Sequence, residues 1–144
     1  MIAALALALV LMLSAISAIH FYWGAGGLWP AEDEAALVDT VIGDRRANAM
    51  PSRTLTFAVA TAIEGAALVA ALLALRISAT LDSAVTIVGA ALCVVFLVRF
   101  AFGYLGFWRR RFNRQPFARL DGALYSPLCL AIAVGFALLV AERL

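Results

Sequence analysis

The chain has 144 residues, of which 65% are hydrophobic and only 14% are charged, and its net charge is +2. Soluble globular domains have roughly 45 to 50% apolar and about 25% charged residues. This composition, with a mean hydropathy of +1.01, therefore excludes an ordinary soluble protein. We expect a membrane protein, with lipid or lipophilic molecules rather than nucleic acid as its partners.

Four apolar stretches cover residues 2–22, 54–75, 83–108 and 122–141. Each is long enough to cross a hydrocarbon core of about 30 Å, which takes roughly 20 helical residues. The stretches are continuously apolar rather than alternating, which argues against strands of a membrane barrel. We therefore predict an all-α fold, a four-helix transmembrane bundle that forms a single integral membrane domain over residues 1–144.

The first stretch has a second interpretation as a secretory signal, because "SAISA" resembles a cleavage site of small residues. However, no Lys or Arg precedes it, and its apolar stretch is longer than the roughly 7 to 15 residues of a signal core. We interpret it as the first transmembrane span.

Between the first two spans, "PAEDEAALVDTVIGD" predicts a short helix. Pro30 suits the first helical position, the acidic residues that follow complement a positive helix end, and Gly43 suits a helix stop. Leu37, Val38 and Val41 share one apolar face. We predict an amphipathic helix that lies on the membrane surface. The later segment "RISATLDS" is short and predicts a hairpin between spans two and three.

All eleven basic residues are arginines, and they are distributed unevenly. Eight lie in the first and third loops, which a four-span chain puts on the same side; Arg76 and Arg143 lie on the other side. The positive-inside rule then predicts a bacterial inner-membrane protein with loops one and three in the cytoplasm and both termini outside. We interpret "WRRRFNRQPFAR" first as this topology signal, and attraction of anionic lipid headgroups is compatible with it.

Two charged residues fall inside predicted spans. Glu64 lies about ten residues into span two, and Arg99 about nine residues from the loop-three end of span three. Helical rise puts both roughly 12 to 15 Å below the same surface. An isolated charge at that depth is costly, so we predict an ion pair between Glu64 and Arg99. The alternative for Arg99 is a side chain that extends toward loop three.

Span four begins with further polar residues. Asp121 is followed one turn later by Tyr125 and Ser126, and then by Pro127. The plainest interpretation of Asp121 is an N-cap of span four, with a chemical role as the alternative. Pro127 predicts a bend that leaves the carbonyl of Ala123 without its helical partner.

His20 is the only histidine in the chain and lies near the end of span one. Tyr22, Trp23 and Trp29 follow it, which is typical of an aromatic belt at the membrane interface. If the apolar segment continues through Trp29, His20 lies two turns deeper and level with Glu64. Both interpretations stay open, and we favour a His20 that faces a polar pocket.

The sequence contains no CxxC, HExxH, Walker or dinucleotide-binding motif, so we expect no metal or nucleotide cofactor. Cys93 and Cys129 are interpreted as small buried hydrophobic residues, because their expected depths differ too much for a disulfide.

"IHFYWGAGG" in span one and "FARLDGALYSPLCLAI" at span four resemble the signature stretches of a family of small bacterial four-helix membrane proteins, domain of unknown function 3995. The layout resembles the family over essentially the whole chain, and the specific motifs cover about a fifth of it. The resemblance implies the four-helix fold and a choice of site, but no activity. The matching positions are His20, Tyr22, Trp23, Gly24, Gly27, Asp121, Tyr125, Ser126, Pro127 and Cys129.

Three classes of function stay open. The first is binding of, or acid-base chemistry on, a lipophilic small molecule, with His20 and Glu64 as the catalytic pair. Its ligand contacts would come from Arg99, Tyr125, Asp121, Ser126 and Trp23. The second is a small proton-coupled transporter, and the third is an accessory subunit of a homo-oligomer or larger membrane complex. The first is the one we favour.

Overall fold

The computed structural model describes residues 1–75 and 78–144, and every regular element in those residues is helical. The elements are α1 (Ile2–Gly24), α2 (Glu34–Val41), α3 (Arg53–Leu73), α4 (Ala79–Phe102), α5 (Gly106–Arg111), α6 (Phe117–Leu120), a π-helical turn (Asp121–Tyr125) and α7 (Ser126–Ala141). Arg76 and Ile77, with which the predicted second loop begins, lie outside the described residues.

Four helical segments are long and apolar enough to cross a membrane: Ile2–Gly24, Arg53–Leu73, Thr80–Phe102 and Phe117–Ala141. The last of these is continuous through α6, the π-helical turn and α7. The all-helical fold and the four spans are confirmed, and they fit a multi-pass membrane protein.

Two span boundaries differ from the prediction by five residues or more. The third span ends at Phe102 rather than at residue 108, because a turn follows at Gly103 and Leu105 is extended before α5 begins. The fourth span begins at Phe117 rather than at residue 122, because the apolar segment before Asp121 is already helical. Both boundaries matter for the depth of the charged residues.

The bundle core lies between two helix pairs, α1 with α3 and α4 with α7. The contact face of α3 is built from alanines such as Ala60 and Ala70, which are fully buried. Small side chains let two membrane helices approach closely. At this contact the hydroxyl of Ser17 donates a hydrogen bond of 2.9 Å to the carbonyl of Ala60. The largest fully buried side chains of the core are Leu13, Ile132, Phe136 and Leu139.

At the end of the bundle that carries the chain termini, Arg143 closes the last turn of α3. Its guanidinium donates to the carbonyls of Leu72 and Leu73, at 2.6 and 3.0 Å, and to that of Leu75. It also forms an ion pair of 3.0 Å with Asp82 at the start of α4. The last carbonyls of a helix have no partner within it, so this arginine satisfies them from a neighbouring element.

The predicted helix of the first loop is present as α2, but it begins at Glu34, after Pro30. Asp33 is its N-cap and accepts a 2.8 Å hydrogen bond from the backbone N–H of Ala36. Its apolar face is turned into the protein: Leu37 and Val38 are buried, and α2 packs against α6. The predicted helix of loop one is therefore present, and α6 covers its apolar face.

Loops one and three are joined at the other end of the bundle. The backbone N–H of Arg45 donates to the carbonyl of Arg111 at 3.2 Å, and that of Arg114 donates to the carbonyl of Gly43 at 3.3 Å. Side chains add two ion pairs, Arg111 with Asp44 at 2.7 Å and Arg114 with Asp39 at 2.8 Å. The two loops and their short helices therefore form one layer over the ends of the spans, which we call the loop layer.

Gly43 is required at the end of α2 for two reasons. Its φ of +66° lies in the left-handed region, and a Cβ at this position would lie 2.2 Å from the ring of Phe117. We expect Gly43→Ala to lower the free energy of unfolding by about 1 to 3 kcal/mol, which is roughly 2 to 10 °C in Tm for a chain of this size. Gly106→Ala is the matched control, because a Cβ there meets nothing within 4 Å. Equal Tm values for the two variants would contradict this account of Gly43.

Candidate functional site

The residues predicted to share one polar site lie in three separate places. Arg99, Asp121 and Ser126 form a hydrogen-bonded cluster where α4 meets the π-helical turn. His20 and Trp23 line a cavity beneath the loop layer. Glu64 lies on the outer face of α3. The prediction of one shared cluster is therefore wrong.

The cluster is centred on the Asp121 carboxylate, whose side chain is 4% exposed. Oδ1 accepts from Arg99 Nη2 at 2.6 Å and from the Ser126 hydroxyl at 3.2 Å. Oδ2 accepts from the indole N–H of Trp108 at 3.0 Å. Arg99 Nη1 also donates to Ser126 Oγ at 3.4 Å. Both carboxylate oxygens are therefore satisfied, which is the condition under which a buried charge is tolerated.

The turn after α4 makes this cluster possible. It returns the chain so that Trp108 lies over Arg99, with the guanidinium carbon 4.9 Å from the ring centroid, a cation–π distance. At Gly103 a Cβ would lie 1.8 Å from the hydroxyl oxygen of Ser126. Only glycine therefore allows the end of α4 to approach the π-helical turn this closely.

The predicted ion pair between Glu64 and Arg99 is absent: Arg99 pairs with Asp121, and Glu64 accepts a 3.0 Å hydrogen bond from Ser14 on α1. The reason is depth. Because α4 ends at Phe102, Arg99 lies in its last turn, roughly 5 Å from that end by helical rise. Glu64 lies eleven residues after Arg53, where α3 begins, or roughly 16 Å along the axis.

Asp121 is not the N-cap of span four, since helix already precedes it from Phe117. It begins the π-helical turn instead, in which the backbone N–H of Ser126 donates to the carbonyl of Asp121, five residues earlier. Such widened turns are frequent at functional sites. The turn lies directly before Pro127, the residue at which the sequence predicts a bend. Tyr125, on the same turn, donates from its hydroxyl to the carbonyl of Thr40 at 3.2 Å.

The cavity has a volume of about 200 Å³ and is predominantly apolar. It lies where the end of α1 and the beginning of α3 meet the loop layer. Its lining residues are His20, Trp23, Val41, Ile42, Met50, Pro51, Leu55, Thr56 and Val59. The predicted positions His20 and Trp23 are thus brought together, with ring centroids 5.0 Å apart in an edge-to-face arrangement.

The imidazole of His20 is held by its own helix. Nδ1 lies 2.7 Å from the carbonyl of Ile16, and since a carbonyl only accepts, Nδ1 must carry the proton. In the neutral ring Nε2 is then an acceptor. Within residues 1–75 and 78–144, no side chain or backbone group donates to Nε2. The cavity lining therefore includes an imidazole whose Nε2 has no donor among the described residues, in a predominantly apolar wall.

The sequence profile of a family described as "Protein of unknown function (DUF3995)" matches residues 13–136. The chain belongs to this family. No curated protein and no solved structure gives a significant match to it. For this DUF3995 protein, the matched region runs from α1 to α7 and includes all three places described above.

Several residues that build these places in the DUF3995 chain were not predicted. Trp108 contacts Asp121 only because α4 ends early. Ser14 lies in an apolar span, and its contact with Glu64 depends on how α3 packs against α1. The sequence contained one signal for the early end of α4: Gly103, a residue type that commonly ends helices, follows the apolar run that closes with Phe102. In the described parts of the chain, no group of three His, Cys, Asp or Glu side chains is arranged to hold a metal ion.

A double-mutant cycle tests the partner of Arg99. We expect Arg99→Gln to lower the free energy of unfolding by about 3 to 5 kcal/mol, because it leaves the buried Asp121 carboxylate without its cation. Asp121→Asn should lower it less, since the Arg99 side chain is 30% exposed and retains contact with its surroundings. The double variant should lose less than the sum of the two, with a coupling of roughly 1 to 3 kcal/mol.

Unfolding would be measured in mixed micelles with Glu64→Gln as the control. That change should alter stability by less than about 0.5 kcal/mol, since Glu64 is exposed and bonded only to Ser14. A measured coupling between Glu64 and Arg99, with none between Asp121 and Arg99, would contradict the observed pairing.

Proposed function

We propose that this protein binds a small lipophilic molecule in the His20 cavity, with the imidazole as the polar contact. The observation that carries the proposal is His20, whose Nε2 has no donor among the described residues. The other polar side chains of the lining, Trp23 and Thr56, already donate to backbone carbonyls. Small-molecule sites commonly combine apolar walls with a few polar groups that fix the orientation of the ligand. Trp23 belongs to the same wall.

The volume of the cavity defines the size of the ligand. An apolar cavity of about 150 Å³ is large enough for benzene, so the roughly 200 Å³ of this cavity suit one substituted ring or the end of a longer molecule. Two lining residues, Leu55 and Val59, are 55% and 40% exposed on the outer surface of α3. A lipophilic molecule therefore has a route from the bilayer.

The proton on Nδ1 defines the chemistry of the ligand. A neutral His20 offers Nε2 as an acceptor, so the ligand should carry a hydroxyl or another hydrogen-bond donor. The same lone pair allows His20 to act as a general base toward an acidic hydrogen. Glu64 is not part of this site, because it does not line the cavity. The Asp121 cluster is fully hydrogen-bonded, and we assign it to helix packing.

We also propose the bacterial inner membrane as the location, with loops one and three in the cytoplasm and both termini outside. Support comes from the eight arginines of those two loops, which the positive-inside rule associates with the cytoplasmic side. A proton-coupled transporter would need one shared cluster of titratable groups, and the separation of Glu64 from the Asp121 cluster removes the reason for proposing it.

A matched pair of probes, 4-fluorophenol and fluorobenzene, tests the site by fluorine NMR on the protein in nanodiscs. The two are similar in size, but only the phenol donates a hydrogen bond. We expect the phenol to bind about 5- to 10-fold more tightly, because one hydrogen bond contributes about 1 kcal/mol. His20→Phe should abolish this preference.

Two further variants separate the cavity from general partition into lipid. Val59→Phe, on the cavity wall, should weaken binding of both probes. Val95→Phe is the control, since Val95 lies on α4, is 59% exposed and does not line the cavity. Equal affinities for the two probes in the unmodified protein, or a preference that survives His20→Phe, would refute the proposal.

A second candidate function is that of a self-associating membrane subunit, and Glu64 favours it. This carboxyl lies near the middle of a span and is exposed, although Ser14 of α1 donates to it, and the exposed Thr61 and Gly65 lie beside it. A carboxyl group facing hydrocarbon is costly unless it is neutral or paired. In a two-fold dimer, two neutral carboxyls can each donate and accept, so this group is complementary to itself.

The dimer fraction in liposomes, measured by single-molecule photobleaching, tests this candidate. Glu64→Gln should preserve association, because an amide also donates and accepts. Glu64→Leu should weaken it about 3- to 30-fold, since a hydrogen bond between membrane helices contributes roughly 0.6 to 2 kcal/mol. A monomeric unmodified protein, or equal association of the two variants, would rule out a dimer through Glu64.

A further inference from the structure

A cleft of about 380 Å³ opens between loops one and three, and its wall is made of arginines alone. Two come from the segment after α2, Arg45 and Arg46, and two from α5, Arg110 and Arg111. This cleft is separate from the His20 cavity and shares no lining residue with it. We call it the arginine cleft.

The architecture of the loop layer holds these four residues together. The backbone bond from Arg45 N–H to the carbonyl of Arg111 joins the two walls directly, at 3.2 Å. The ion pair of Arg114 with Asp39, at 2.8 Å, and the bond from Arg114 N–H to Gly43 fix the same two segments beside the cleft. The two backbone segments that carry the arginines are therefore held together by contacts that, apart from the ion pair of Arg111, do not use the charges of the cleft.

The charge of the cleft is only partly neutralised from within. Asp44 pairs with Arg111 at 2.7 Å. The backbone N–H of Arg46, and to a smaller extent the Arg111 guanidinium, holds the pKa of Asp44 below its ordinary value, so this carboxylate is ionised at neutral pH. Among the described residues, no carboxylate pairs with the side chains of Arg45, Arg46 or Arg110. Asp44 also attracts the Arg46 charge, at a distance too long for an ion pair. Four guanidinium groups therefore face a cleft with one neighbouring carboxylate.

A guanidinium group offers planar pairs of N–H donors that match two oxygens of a phosphate. The cleft lies in the loop layer, at the end of the four spans, and the phosphates of lipid headgroups are expected at the ends of membrane spans. Four guanidinium charges that lie close together beside a single carboxylate repel one another, and an anion of matching geometry relieves that repulsion.

The geometry points to a binding site for a phosphate group in the arginine cleft, contacted by Arg45, Arg46 and Arg110. The ligand class is a phosphate monoester or diester, supplied either by the headgroup of an anionic phospholipid or by a soluble phosphate compound. This site is independent of the proposed function of the His20 cavity, because neither its residues nor its ligand chemistry are shared.

Native mass spectrometry of the detergent-solubilised protein tests the site with three probes: phosphatidylglycerol, phosphatidylcholine and inorganic phosphate. The informative variant is Arg45→Gln with Arg110→Gln, which removes one charge from each wall. Neither side chain forms an ion pair in the described structure, so folding should be preserved, and a Tm measurement checks this. The matched control is Arg53→Gln with Arg119→Gln, two exposed arginines that lie outside the cleft, at the starts of the second and fourth spans.

We expect phosphatidylglycerol to bind in preference to phosphatidylcholine, and the cleft variant to weaken that binding tenfold or more, with less than a threefold change in the control. If millimolar inorganic phosphate competes with phosphatidylglycerol, the phosphate group itself is the part of the lipid that is recognised. Binding of inorganic phosphate that is lost only in the cleft variant, without lipid preference, would support the site with a soluble ligand. Equal losses in the two double variants, or no binding of either anion, would overturn the proposal.

Discussion

The ion pair between Arg99 and Asp121 is the constraint on which the loop-layer end of the structure depends. A carboxylate that is 4% exposed beside membrane-spanning helices must be paired and hydrogen-bonded. Meeting that condition requires α4 to end at Phe102, Gly103 to admit the hydroxyl of Ser126, and the chain to return so that Trp108 donates to Asp121. This return of the chain also positions the short helix α5, which contributes two of the four arginines of the arginine cleft.

Close packing of small residues determines what the bundle leaves outside. The buried alanines of α3 face α1 and the core, and the helix carries its other side, with Glu64 and Gly65, outward. In hydrocarbon, association between helices depends on such contacts and on polar bonds rather than on a hydrophobic driving force. The alanine face therefore fixes the rotation of α3 about its axis. In that rotation Glu64 accepts from Ser14 and forms no ion pair among the described residues.

Hydropathy was sufficient for the four spans, and helix-stop chemistry was sufficient for α2, because both depend on local sequence. Gly43 has the role expected of a helix stop, whereas Asp33, expected in the first turn of a helix starting at Pro30, is the N-cap of a helix that starts at Glu34. The partner of Arg99 could not be obtained in this way. Each residue turns a helix by about 100°, so span limits define the level of a side chain but not its direction. Moreover, an error of six residues in the end of α4 shifted the expected level of Arg99 by roughly 9 Å.

The His20 cavity and the arginine cleft are connected through one short segment of loop one. Val41 and Ile42 line the cavity, and Arg45 and Arg46 line the cleft. Between them, Gly43 and Asp44 are bonded to Arg114 and Arg111 of loop three. Gly43 and Asp44 lie between the residues that line the cavity and those that line the cleft. Their contacts with loop three therefore position the walls of both the cavity and the cleft. A change in loop three therefore reaches the apolar cavity as well as the cleft, although the two share no residue.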